Sequence, residues 1–266
     1  MRSRPADSLP AVRLAGARAL VTGSTSGIGR AIAQRFAQEG AAVCVTGRDR
    51  ARGDAVVSEI TGAGGTACFV AAELRDEDAC DALVAAAADA LGGLTVLVNN
   101  AAGGDTGDGP IGTMTTEAWN AILTVNLTAP MWLTRAALTH MLAAGEGSIV
   151  NISTRQAERA SRNLAAYVAS KGGLNALTRA VAVDYADRGI RCNTISPGYV
   201  LNDRRDADID PDRLARYQGM HLTRLGVADD IAYAAVYLAS AESGFVTGLN
   251  LQVDGGSSIA RGLTLG

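Results

Sequence analysis

The chain has 266 residues, 48% hydrophobic and 19% charged, with a formal net charge of −3. That is enough apolar material for one substantial core without division into domains. The mild acidity argues against a nucleic-acid partner, no apolar run approaches the roughly 18 residues of a membrane span, and His140 and His221 alone are too few for a His-rich metal site.

The first residues carry basic charge but no apolar segment, which predicts a short flexible tail over 1–12 rather than a secretory signal, with one folded unit over 13–266. An apolar strand is expected at 17–22. A helix over 28–38 follows, with Ile28, Ile32 and Phe36 on one stripe. Strands at 42–46, 67–71 and 95–98 alternate with helices at 49–60 and 76–91. A long helical stretch is expected over 117–143, a strand at 148–152, a helix over 164–187 and a strand at 191–195. Helices near 211–218 and 229–238 and a last strand near 249–253 complete the pattern. Apolar strands alternating with helices predict an α/β fold, a single-domain, doubly wound parallel sheet covered on both faces. Two polar stretches, 103–112 and 201–213, are candidate substrate loops, because such sheets bind ligands beyond their strands' carboxyl ends. Cys44, Cys68, Cys80 and Cys192 show no Cys-x-x-Cys spacing and read as free thiols in a reducing cytoplasm.

Directly after the first strand comes Thr22-Gly23-Ser24-Thr25-Ser26-Gly27-Ile28-Gly29, opening into the first helix. Glycines let the backbone turn sharply and approach a pyrophosphate, whose charge a helix N-terminus favours. Far downstream, Tyr167 and Lys171 stand four residues apart and share a helix face. At roughly 6 Å and an effective dielectric of about 20, one cation favours a phenolate by about 3 kcal/mol, on the order of 2 pK units. Such a phenol is brought toward a pH at which it exchanges protons.

These motifs fall in one order with Asn99-Asn100-Ala101, Val125-Asn126-Leu127, Ser196-Pro197-Gly198 and Val253-Asp254-Gly255-Gly256. Over nearly its whole length the chain resembles the short-chain dehydrogenase/reductase family, nearest its 3-oxoacyl-carrier-protein reductase and secondary-alcohol dehydrogenase group. The resemblance implies a Rossmann-type domain that binds a nicotinamide cofactor and moves a hydride to or from a carbonyl or alcohol carbon. It implies Tyr167 as acid/base, Lys171 as its electrostatic partner and ribose contact, and Asn126 in a structural and proton-relay role. The family's carbonyl-polarising serine falls on Thr154, with Ser153 as the fallback. It also implies Glu73 and Leu74 beside the adenine, and Asn100, Ala101, Pro197, Gly198, Val200 and Asn202 along the cofactor. The glycine usual after Asn-Asn-Ala is Ala102 here.

The family's acidic position at the end of the second strand is Gly47, followed by Arg48. Losing a carboxylate removes a repulsion and a guanidinium binds phosphate, so NADP(H) is expected over NAD(H). Asp49 remains open, either capping the next helix or reaching a ribose. Arg155, Gln156, Arg159 and Tyr199 are candidate contacts for a polar small-molecule substrate. The acidic run 206–212 reads as loop and helix cap, not as a metal site. The alternatives are an NAD-dependent dehydrogenase of a cyclic alcohol, diol or sugar, or a nicotinamide-binding sensor without turnover. The resemblance also implies a homotetramer.

Overall fold

A computed structural model describes residues 12–103, 107–202 and 205–260. The tail expected at 1–12 lies outside them except for Val12. Seven strands form one parallel sheet in the order β3-β2-β1-β4-β5-β6-β7. They are β1 (Arg18–Val21), β2 (Ala42–Gly47), β3 (Thr66–Ala71), β4 (Val96–Asn99), β5 (Gly147–Ile152), β6 (Ile190–Pro197) and β7 (Asn250–Val253).

Alternation within the strands splits the core into two layers. Ala19 and Val21, Val43 and Val45, and Val96 and Val98 join one buried cluster. The residues between them, Leu20, Cys44 and Leu97, join the other. A period of two sends neighbours to opposite faces, so a strand apolar at every position must be covered twice. The first face receives α1 (Gly27–Gln38), α2 (Arg50–Gly62) and α8 (Ala228–Ala239). The second receives α3 (Glu77–Leu91), α5 (Ala129–Ala144) and the distal end of α6 (Ala165–Tyr185). Phe36 and Ile32 of α1 are wholly buried, each contributing about 1.5–3 kcal/mol relative to exposure.

Local chemistry sets the helix ends. Asp49 caps α2, accepting from the Arg52 amide at 3.1 Å, and Asp76 caps α3, accepting from Ala79 at 2.8 Å. Gly92 closes α3 in the left-handed region at φ 71. One expectation needs correction. The stretch 117–143 is not one α-helix: α4 (Thr116–Leu123) passes through a π-helical segment, Thr124–Thr128, into α5. Such a bulge shifts the register of side chains without ending the helix. It falls on Asn126.

The chain builds β1 to β3 outward in one direction and then returns to lay β4 on the other side of β1. The loops leaving β1 and β4 therefore diverge and open a crevice at the carboxyl edge. Among the described residues no helix is long and apolar enough to cross a membrane.

Candidate active site

That crevice is a cleft of about 1360 Å³ running from the β1 loop to the segment after β6. Its base is stitched across the reversal point. The Thr22 hydroxyl accepts from the amides of Asn100 at 2.9 Å and Ala101 at 3.0 Å. The Asn100 side-chain amide donates back to the carbonyls of Thr22 at 2.8 Å and Gly23 at 3.3 Å. Gly29 is obligatory here, since a Cβ would stand 2.4 Å from both the Asn100 amide nitrogen and the Gly23 carbonyl oxygen. Ser26, at the N-cap of α1, makes no side-chain cap bond, and the first turn holds no acidic residue. Gly23, Thr25, Ser26, Gly27, Ile28 and Gly29 line the cleft. The uncapped helix N-terminus fits a pyrophosphate.

Ser24 is a correction. It is fully buried, its hydroxyl donating to the Val21 carbonyl at 2.6 Å and accepting from the Thr46 amide at 2.9 Å. The side chain joins the β1 loop to β2 and faces away from the cleft.

At the cleft's far end, a Cβ on Gly47 would lie 2.7 Å from the Thr25 side chain, so the position excludes a carboxylate as packed. Arg48, Arg52 and Arg75 line this end with Glu73 and Leu74. Glu73 is shared, 3.8 Å from Arg48 and 2.7 Å from Arg75. Asp49 is spent on α2. Besides capping, it accepts from Arg52 Nε at 2.6 Å, and these bonds hold its carboxyl below the usual range. It does not line the cleft.

The chemical centre lies where β5 and α6 meet. Lys171 is only 2% exposed, and burial pulls its ammonium down to about 8. Its Nζ donates to the Ile152 carbonyl at 2.8 Å and stands 6.0 Å from the centroid of the Tyr167 ring. Both line the cleft, as do Ser153 and Thr154. Their hydroxyls are used differently. Ser153 donates to the Lys171 carbonyl at 3.4 Å. Thr154 accepts from the Gln156 amide at 3.2 Å, which leaves its own O–H to donate into the cleft. Asn126 is wholly buried within the π-segment. Its side chain accepts from the Gly103 amide at 2.9 Å and donates to the Gly103 carbonyl at 2.8 Å and to Ser170 Oγ at 3.2 Å. Its amide is occupied as a tether for the loop after β4.

The end of β6 and the segment after it form the opposite wall, with Pro197, Gly198, Tyr199, Val200 and Asn202 lining the cleft beside Ala101 and Asn100. Arg155 and Gln156 line it too, whereas Arg159 does not. This is a further correction. Arg159 Nη1 donates to the Ser258 carbonyl and, at 3.4 Å, to that of Ala260, so its charge anchors the C-terminal segment. The Tyr199 ring stacks on Tyr217 of α7 (Pro211–Gly219), centroids 4.0 Å apart, and its hydroxyl donates to Asp206 at 2.7 Å. Arg205, hydrogen-bonded to Asp206, holds that carboxyl down to about 2. Asp210 caps α7 ahead of Pro211 as its sequence predicts, accepting from Arg213 at 2.9 Å. The sequence carries no local signal for the Tyr199–Tyr217 pair, which are 18 positions apart.

Known proteins agree with this architecture. The profile of the family described as Enoyl-(Acyl carrier protein) reductase matches residues 23–258. The chain is 39% identical to the 2,5-dichloro-2,5-cyclohexadiene-1,4-diol dehydrogenase LinX of Sphingobium indicum, covering 93% of this chain and 98% of that protein. A solved protein of Sinorhizobium meliloti 1021, provisionally named a short-chain alcohol dehydrogenase, superposes with TM-score 0.90 at 35% identity, covering 95% of this chain and 100% of that one. Another, from Beutenbergia cavernae, is provisionally named an NAD(P)-dependent gluconate 5-dehydrogenase and was solved with bound NADP at low occupancy. It superposes with TM-score 0.87 at 38% identity, covering 94% and 99%. With its Rossmann-type sheet, its glycine turn at the reversal point and its Tyr-x-x-x-Lys face on one cleft, the chain belongs to the short-chain dehydrogenase/reductase family of oxidoreductases, which act on alcohols and carbonyls with a nicotinamide cofactor.

Proposed function

We propose that this chain is an NADP(H)-dependent reductase of a cyclic or polyhydroxylated ketone, or the corresponding alcohol dehydrogenase in reverse, with Tyr167 as its acid/base. The observation that carries the reading is a buried ammonium, Lys171, 6.0 Å from the Tyr167 ring and facing the same cleft as the uncapped N-terminus of α1. The β1 loop would hold the pyrophosphate, Glu73 and Leu74 the adenine, and Asn100, Ala101, Pro197, Gly198, Val200 and Asn202 the remainder. When bound, the nicotinamide supplies or accepts the hydride.

The protein's own part is the proton and its placement. Tyr167 donates its phenolic proton to the substrate oxygen during reduction and takes it back during oxidation. Lys171 stabilises the resulting phenolate and is itself oriented by the Ile152 carbonyl. Its depressed affinity for protons, caused by burial, makes the charge responsive to a nearby anion. Thr154 polarises the substrate oxygen with its hydroxyl, while Ser153 fixes the Lys171 backbone. Asn126 keeps the loop after β4 in register; a proton relay at this residue would use water and its main chain, since its side-chain amide is engaged.

NADP(H) is favoured over NAD(H) because three guanidinium groups, Arg48, Arg52 and Arg75, line the ribose end against a single lining carboxylate, Glu73. Arg48→Ala should weaken NADPH binding about tenfold and leave NADH binding nearly unchanged, the scale of one charge-assisted hydrogen bond. Equal or tighter binding of NADH by the unaltered protein contradicts the preference. The relatives named for a cyclic diol and for gluconate support a ring-bearing or polyhydroxylated substrate, and Arg155, Gln156 and Tyr199 supply polar contacts for it. Exposed Val183 on α6 and fully exposed Phe245 support self-association as a homotetramer, and four free thiols support a cytoplasmic setting. The functional test is loss of NADPH absorbance across cyclic ketones and keto-sugars. Cofactor binding with no turnover on any of them would favour a nicotinamide sensor.

A further inference from the structure

The catalytic helix lacks a cap of its own. Leu164 stands at the N-cap of α6, a 21-residue helix, and supplies no side-chain bond; Asn163 before it enters with φ 63. The first amides of a helix have no internal partner, and a buried one left unpaired costs about 1–3 kcal/mol. Here the loop after β4 satisfies them. The Asp108 carboxylate accepts from Ala166 at 3.1 Å through Oδ1 and from Tyr167 at 3.0 Å through Oδ2, and the Gly109 carbonyl accepts from Ala165 at 3.4 Å. Oδ1 also accepts from the Gly109 amide at 2.9 Å, which fixes the side chain. An anion at this end of a helix is favoured by its dipole.

The other stem of the same loop reaches Tyr167 by a different route. Gly103 is gripped by Asn126, Asn126 donates to Ser170 Oγ, and Ser170 Oγ donates to the Tyr167 carbonyl at 2.7 Å. The Tyr167 amide is thus held directly by one stem of the loop that follows Asn100 and Ala101, and its carbonyl by Ser170, which the other stem reaches through Asn126. A bond to each fixes the backbone from which the phenol projects.

We propose that Asp108 is a positioning residue for Tyr167: by capping α6 from the loop after β4, it sets where the phenol stands relative to the cofactor-lining residues. The inference rests on Tyr167 being the acid/base. A misplacement of about 1 Å at a reacting group lowers turnover on the order of 100-fold while leaving distant binding contacts intact.

The test compares the full-length protein with Asp108→Ala and Asp108→Asn, reading kcat, KM, the NADPH dissociation constant and amide hydrogen exchange across 165–168. Asp108→Ala should lower kcat about 10- to 100-fold, leave NADPH affinity within about twofold, and speed exchange at the Tyr167 amide. Asp108→Asn keeps one acceptor oxygen but turns an NH₂ toward the other N–H, so its kcat should fall between the two. A cap that only stabilised the helix would lower melting temperature without this separation of kcat from cofactor affinity. An Asp108→Ala kcat within a few-fold of the unaltered protein overturns the proposal. If that variant does not fold, an unchanged kcat in Asp108→Asn overturns it. Absence of turnover in the unaltered protein would sink the enzymatic reading instead, and the exchange measurement would still judge the hold of Asp108 on Tyr167.

Discussion

The two ends of the cleft are built on different physical terms. The end at the β1 loop is fixed by backbone and by short polar stitches between adjacent strands: Thr22 to Asn100, Ser24 to Thr46, and a Gly29 with no room for a Cβ. The opposite end rests on α7, which has no buried residue and is joined to the segment after β6 by the Tyr199–Tyr217 stack and by His221, whose ring bridges the Tyr217 carbonyl at 2.7 Å and the Tyr199 amide at 3.0 Å. A site of the first kind can change little without losing the fold. A site of the second kind can be rewritten while the sheet stands, which lets one scaffold serve many alcohols and ketones. Between them lies the chemical centre, where a fixed frame carries a costly buried charge.

That cost provides the sharpest separation of function from stability. The Lys171 value lies at about 8 against 10.5 for an ordinary lysine, so the unfolded chain binds this proton more tightly than the folded one. The penalty is on the order of 3 kcal/mol; it is present in full below about pH 8 and is relieved as pH rises toward the unfolded value. Lys171→Met should therefore lower turnover by about 100-fold or more and yet stabilise the fold by about 2 kcal/mol at pH 7, after loss of the bond to Ile152. Denaturant unfolding at pH 7 and pH 9.5 checks both parts, with a smaller gain expected at the higher pH. A destabilised Lys171→Met would place the residue among the structural ones.

Thr154 and Ser153 refine the boundary. Removing a preorganised donor to a substrate oxygen costs on the order of 100-fold in kcat, so Thr154→Ala should show that loss and Thr154→Ser should recover most of it. Ser153→Ala should change kcat by only a few-fold, because its hydroxyl serves the Lys171 carbonyl. An inactive Ser153→Ala beside an active Thr154→Ala reverses the two roles. The smallest effect on turnover belongs to Ser24→Ala. It should cost about 1–3 kcal/mol of stability by orphaning buried backbone groups, with NADPH affinity unchanged, as measured by unfolding and titration.

What the sequence discloses follows the same division. Strand alternation, helix stripes and the Asp210 cap act between near neighbours, so the parallel sheet covered on both faces was legible, as were the glycine turn and the Tyr167–Lys171 face. Ser24 was misread because motif membership does not say which way a side chain turns. Arg159 was misread because its partners, the carbonyls of Ser258 and Ala260, lie about a hundred positions away. Asp108 and the π-segment around Asn126 escaped for a related reason. One is a cap supplied from 58 positions away, and the other is a backbone register shift without a residue signature. Contacts between distant segments are chosen by the assembled fold, and no local pattern announces them.

The most direct measurement is kcat for Tyr167→Phe, with NADPH affinity determined on the same sample. Loss of the hydroxyl alone should lower kcat by about 100- to 10,000-fold while the dissociation constant stays within about twofold, since the ring and its packing remain. A Tyr167→Phe protein turning over within a few-fold of the unaltered one would show that the substrate proton comes from elsewhere.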